Sequence, residues 1–91
     1  MLQDVKDYLK ITWDDEDAAL TKLITRGQEH LNDLVGAELT FTGGLPQSLL
    51  LDYCRYVYNN ASEYFEENFS NEILRLQLQI GVEQLADEVT T

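Results

Sequence analysis

Apolar positions recur along most of this chain at intervals of three and four, the spacing that gathers side chains on one face of a helix. Leu2, Val5 and Leu9 set a first helix over about residues 2–10, with Asp4 near its start and Lys10 near its end, where each charge suits the helix dipole. The β-branched pair Ile11-Thr12 weakens that helix, and Trp13 opens a corner. Asp14 or Asp15 can cap a second helix, with the remaining acids of Asp14-Asp15-Glu16-Asp17 against its positive end. This helix is expected over residues 15–35, on the stripe Leu20, Leu23, Ile24, Gly27, Leu31, Leu34 and Val35, with Gly36 as its left-handed terminator. Glycine inside such a stripe costs about 1 kcal/mol relative to alanine, so a close helix crossing is expected at Gly27.

Residues 37–45, AELTFTGGL, have strand-like character and predict a short extended arm ending in the Gly43-Gly44 turn. Pro46 suits the first turn of a third helix over residues 46–67, which carries Leu50, Tyr53, Cys54, Val57, Ala61, Tyr64 and Phe65 on one face. Ser70 can cap a short fourth helix over residues 71–79, which Gly81 interrupts. The tail, residues 80–91, is sparse in large apolar groups and is expected to fray or to await a partner. The pattern therefore predicts one all-α domain, a small bundle of three to four helices with a short extended arm between the second and third long helices.

Composition narrows the function. With 91 residues, 44% hydrophobic and 25% charged, the chain reads as globular rather than disordered. The apolar run Leu49-Leu50-Leu51 is far short of the roughly 20 residues that span a bilayer. The start Met-Leu-Gln-Asp-Val-Lys lacks the basic-then-apolar layout of a secretory signal, and one cysteine forms no internal disulfide. An intracellular, soluble protein is expected. Residues 1–35 carry eight acids and four bases, residues 36–91 nine acids and two bases, which gives −4 and −7 and together the net −11. Duplex binding is driven by cations that displace counterions from phosphate, and few are present here.

No residue set carries catalysis. His30 stands at the edge of the second helix's stripe with no cysteine or second histidine near it in sequence. Cys54 falls on an apolar face, where free cysteine behaves as a small hydrophobe. An EF-hand loop needs glycine at its sixth position and glutamate at its twelfth; from Asp15 these are Leu20 and Arg26, from Asp14 Ala19 and Thr25. Glu63, Glu66 and Glu67 sit off the apolar stripe and read as a solvated or partner-facing surface. No catalytic, cofactor-binding or metal-ligating residues are expected, and an enzyme is disfavoured.

The aromatics point elsewhere. Tyr53, Tyr56, Tyr58, Tyr64 and Phe65 exceed what one buried stripe requires. Tyr56 lies about 100–120° from Val57 around the helix. Exposed tyrosine beside Arg55 is typical of protein interfaces, although a tyrosine lying along its own helix fits equally. The arm is longer than a helix–helix join requires, so Leu39 and Phe41 are expected to recognise a neighbouring subunit or partner, with Phe41 as anchor; folding back over the core is the alternative.

Two phrases flank the glycine-rich break: DVKDYLKITWDDEDAALTKLI, from Asp4 to Ile24, and LLLDYCRYVYNNASEYFEENFSNEILRLQLQIG, from Leu49 to Gly81. In that order and at that distance the chain resembles the head–tail connector proteins of tailed bacteriophages, small helical head-completion and DNA-packaging adaptors. The resemblance implies a homo-oligomeric ring beneath the dodecameric portal protein, twelve-fold in the virion. Such a ring lengthens the DNA exit channel and docks the next head-completion or tail protein. It implies a place at the head–tail junction of the virion, with the host cytoplasm as the site of assembly, and no membrane or cofactor. The closing LQLQIG is loosely similar to the glutamine-leucine-arginine-glycine ending of one branch, and its Leu76 and Leu78 join Leu39, Phe41, Arg55 and Tyr56 as expected interface residues. An acidic wall is consistent with passage, because DNA carries a charge about every 1.7 Å and a like-charged surface does not grip it.

Two other classes compete. An acidic DNA mimic would bind a DNA-binding protein through a spaced double row of carboxylates, whereas these acids cluster at helix ends. A small enzyme would require a polar constellation that the sequence does not contain. The charge generates a direct expectation: the free protein does not retard duplex DNA in a gel at low salt. A retarded band that fades as salt rises would establish a DNA-binding role instead.

Overall fold

The computed structural model describes residues 1–90, with side-chain environments through residue 83. Its elements in order are α1 (Leu2–Leu9), α2 (Asp17–Val35), α3 (Gly44–Tyr58), one 3-10 turn (Ser62–Tyr64), α4 (Phe65–Asn68) and α5 (Ser70–Thr90). No strand occurs among the described residues, and the protein is the small all-α bundle that the periodicity predicts. The arm, residues 37–43, lacks strand pairing and runs as an irregular link. α3 packs against α1, α2 and α5 and so holds the bundle together.

The α2 stripe is buried as expected: Leu20, Leu23, Ile24, Gly27 and Leu31 face the core, with Leu34 and Val35 half-buried at its end. Against it lie Leu49, Leu50, Tyr53 and Cys54 of α3, with Val5 and Ile11 on one side and Phe65, Ile73 and Leu76 on the other. Gly27 is where the two long helices approach. A Cβ placed there would stand 2.7 Å from both Leu50 Cδ1 and Tyr53 Cδ1, closer than carbon atoms pack.

Three helices end alike. Lys10 (φ 61°), Gly36 (φ 69°) and Asn60 (φ 59°) adopt the left-handed conformation. The next amide of each reaches back five residues: Ile11 N–H to the Lys6 carbonyl at 2.8 Å, Ala37 to Asn32 at 3.2 Å, and Ala61 to Tyr56 at 2.7 Å. The third of these endings corrects the expected third helix. Instead of spanning 46–67 it begins at Gly44 and stops at Tyr58, because asparagine enters the left-handed region readily. The break turns the chain so that Phe65 is carried into the core at 1% exposure, whereas Tyr64, expected on the apolar face, is 53% exposed. Pro46 falls in the first turn, where its missing N–H removes no helical hydrogen bond.

The acidic corner differs from its expected role. No side chain caps α2, whose N-cap residue is Glu16. Lys6 is buried at 6% exposure, with its Nζ 2.6 Å from Asp14 Oδ1 and 2.8 Å from Asp17 Oδ1. The hydrogen bond to Asp14 and then the close Asp17 carboxylate push the Lys6 pKa up, while Lys6 holds the Asp14 carboxyl below the ordinary range. Asp17 Oδ1 is closed off from solvent without a well-directed hydrogen bond, so the ammonium charge is what offsets its burial. Glu16 Oε2 accepts from Trp13 Nε1–H at 2.8 Å and from the Tyr58 hydroxyl at 2.9 Å. The acid run thus fastens α1 and α3 to the start of α2.

α5 also departs from expectation. It does not end at residue 79, and the segment expected as a tail from residue 80 is helical to Thr90; residue 91 lies outside the described residues. Gly81 has no left-handed φ, and one interior glycine costs only about 1 kcal/mol, too little to stop a helix that no proline terminates. The Gly27 crossing is open to test. Gly27→Leu is expected to lower stability by about 1–3 kcal/mol through overpacking, measured as a fall in melting temperature of about 4–8 °C per kcal/mol. An unchanged melting temperature would place residue 27 in open space.

Candidate protein-interaction surfaces

The arm is anchored at both of its apolar side chains. Leu39 and Phe41 are half-buried and pack on the core, alternating with the exposed Glu38, Thr40 and Thr42. Leu39 N–H donates to Asn32 Oδ1 at 2.9 Å, which ties the arm to α2. Leu39 and Leu76 line one shallow cleft with Pro46 and Ile80, while Phe41 lines another with Met1 and Gln28. The structure therefore brings Leu39 and Leu76 together. Leu76 is 1% exposed and belongs to the chain's own core, so of the closing pair only Leu78, 62% exposed, stands at the surface.

Arg55 and Tyr56 form a second surface. Tyr56 is half-buried, and neither stands free nor lies along its own helix: its ring meets Phe65 at 6.0 Å and Phe69 at 5.4 Å, edge to face. Asn68 Nδ2–H donates to its hydroxyl at 3.0 Å. The exposed Arg55 guanidinium lies over the Tyr56 ring at 5.3 Å and the Tyr8 ring at 5.8 Å, with Asp52 Oδ1 at 3.4 Å. Tyr8 donates its hydroxyl to the same Asp52 carboxylate, which raises the phenol's pKa and joins α1 to α3. Arg55, Tyr56, Asn59, Ala61, Tyr64 and Asn68 enclose an open cleft of about 380 Å³.

Reactive side chains are occupied structurally. His30 Nε2 lies 2.9 Å from Glu66 Oε1, and its ring tilts against Tyr53 at 5.4 Å, so it links α2 to α4. Burial pushes the Cys54 thiol up to about 11, which leaves it protonated and unreactive. Glu63, Glu66 and Glu67 are exposed, as expected. Among the described residues no helix is long and apolar enough to cross a membrane.

This arrangement of helices, aromatic cleft and half-exposed arm offers contact surfaces, and the family comparison agrees with that. Residues 1–88 match the family model described as Phage gp6-like head-tail connector protein. The chain belongs to this family. Comparison with curated proteins and with solved structures gives no match. The connector is accordingly a structural component of a phage virion, associated with other head and tail proteins.

Sequence reasoning did not single out three exposed apolar residues of the connector's last helix, Leu74, Leu78 and Val82, as one group; only Leu78 was expected at an interface. The signal is present in the alternation of Leu74, Leu76, Leu78, Ile80 and Val82, since a period of two in a helix populates opposite sides. Tyr64, expected on the apolar face of a longer third helix, lies outside the core because α3 ends at Tyr58. For the arm, Phe41→Ser in the connector is expected to lower stability by about 1–3 kcal/mol, as a half-buried aromatic loses its packing. Full thermal stability combined with particles that fail to join tails would assign Phe41 to recognition.

Proposed function

We propose that the connector assembles as a ring beneath the portal protein of a tailed phage or prophage, where it extends the DNA channel and docks the next head-completion or tail protein. The observation that carries this reading is the family match over residues 1–88. Three physical features support it. A chain of this size builds a large assembly only by repeating contacts between unlike faces of neighbouring copies. Its net charge of −11 suits a channel wall that lets DNA pass without gripping it. Its outward side chains, Arg55 and Leu78, the half-buried Tyr56 in its cleft, and the arm that Leu39 and Phe41 hold in place supply contact surfaces on several elements.

The assembly role is tested with particles made without this chain. DNA-filled heads lacking tails are expected to accumulate, and purified connector added to them should restore tail joining. Normal tail joining in its absence would exclude the role.

A further inference from the structure

α5 is apolar on two opposite sides. At about 100° per residue, Ile73, Leu76 and Ile80 point toward α2 and α3, whereas Leu74, Leu78 and Val82 centre roughly 170° away. Those three are 53%, 62% and 67% exposed. A helix apolar on both sides is one made to be covered on both. Gly81 adds an independent indication. It lies at the edge of the outer stripe, on the Leu74 side and about 60° from Leu78, and a Cβ there would meet nothing within 4 Å. Among the described residues nothing therefore requires glycine at this position, although it weakens the helix. At Gly27, the other glycine inside a long helix, the missing side chain admits a neighbouring helix's Leu50 and Tyr53. By the same logic Gly81 leaves room for a surface of another molecule.

Charge identifies that molecule. Copies of a chain with net charge −11 repel where acids meet, so self-association favours surface poor in acids. Residues 73–82 contain no acid and one base, Arg75; residues 53–62 contain no acid and one base, Arg55. The first stretch forms the convex outer stripe. The second leads into the concave cleft of Arg55, Tyr56 and Tyr64; its lining includes no carboxylate, with Asp52 paired to Arg55 and Glu63 and Glu67 adjoining it in sequence, while the three other clefts described on the surface each include at least one in their lining. We infer that the outer stripe of α5, centred on Leu78 with Gly81 at its edge, packs into the Arg55–Tyr64 cleft of a second copy of this chain. Ridge and cleft are different surfaces, so the contact is heterologous and repeats from copy to copy until it closes. The inference rests on the ring reading and assigns the faces that meet in it.

Disulfide trapping tests it. Cys54 is buried with its thiol pushed up to about 11, so introduced cysteines report alone. Leu78→Cys and Tyr64→Cys are prepared separately, mixed, and oxidised mildly, both as purified chain and in particles assembled with the variants. The mixture is expected to give a cross-linked dimer, either variant alone none, and a chain with both changes a ladder. A dimer from Leu78→Cys alone would mean that α5 meets its own counterpart and would overturn the proposal, as would no bridge in either preparation. Leu78→Gln, at an exposed site, should keep its circular dichroism and melting temperature yet enter particles about tenfold less well, equivalent to about 1.4 kcal/mol. Undiminished incorporation would also overturn it. The two readings fail separately: tail joining without the chain removes the ring role, whereas chain-dependent tail joining without a 64–78 bridge removes only this contact.

Discussion

The close approach of α2 and α3 at Gly27 is the constraint on which the rest of the bundle depends. Because Leu50 and Tyr53 settle onto the backbone of α2, α3 lies deep enough to be shared by α1 on one side and α5 on the other. Tyr53 then serves as a bridge, with its ring against His30 of α2 and edge-on to Phe65 of α4. Phe65 stacks on Phe69 at 5.2 Å, immediately before α5 begins. One missing side chain thus fixes a continuous line of aromatic packing from the second helix to the last.

The corner before α2 is a different kind of solution. Its four consecutive acids are a repulsive cluster, yet three of them are used: Asp14 and Asp17 on buried Lys6, Glu16 on Trp13 and Tyr58. Breaking one side of such a pair leaves an uncompensated charge, so the arrangement specifies the α1–α2 angle more than it adds stability. The left-handed residue at Lys10 makes that angle possible, because it lets Ile11 turn back into the core directly after α1.

Much of this was legible from the residues. The α2 stripe, the role of Gly27, the Gly36 terminator and the burial of Cys54 follow from spacing alone, since each depends on local period or side-chain type. What escaped depends on partners distant in sequence. Asn60 in the left-handed conformation is one of several states open to asparagine, and the turn it makes leads to the distant packing of Phe65. The acids of the corner looked like helix caps because Lys6 lies eight residues before Asp14. Gly81 looked like a stop because glycine often is one, yet its backbone here is helical. Among the expected interface residues, Leu76 proved internal because a period of two cannot reveal which side of a helix faces home.

That same spacing has a consequence for the chain before it folds. In an extended conformation Leu74, Leu76, Leu78, Ile80 and Val82 would all project from one side, and Arg75 would be the only charge between Ile73 and Val82. An uninterrupted apolar row with little charge and no proline is the kind of segment that stacks into intermolecular β-structure. Winding it into α5 separates the five residues, with Leu76 and Ile80 turned inward and Leu74, Leu78 and Val82 outward. Helix formation therefore also guards against misassembly, because it removes the edge along which nascent chains would aggregate before they could assemble in order.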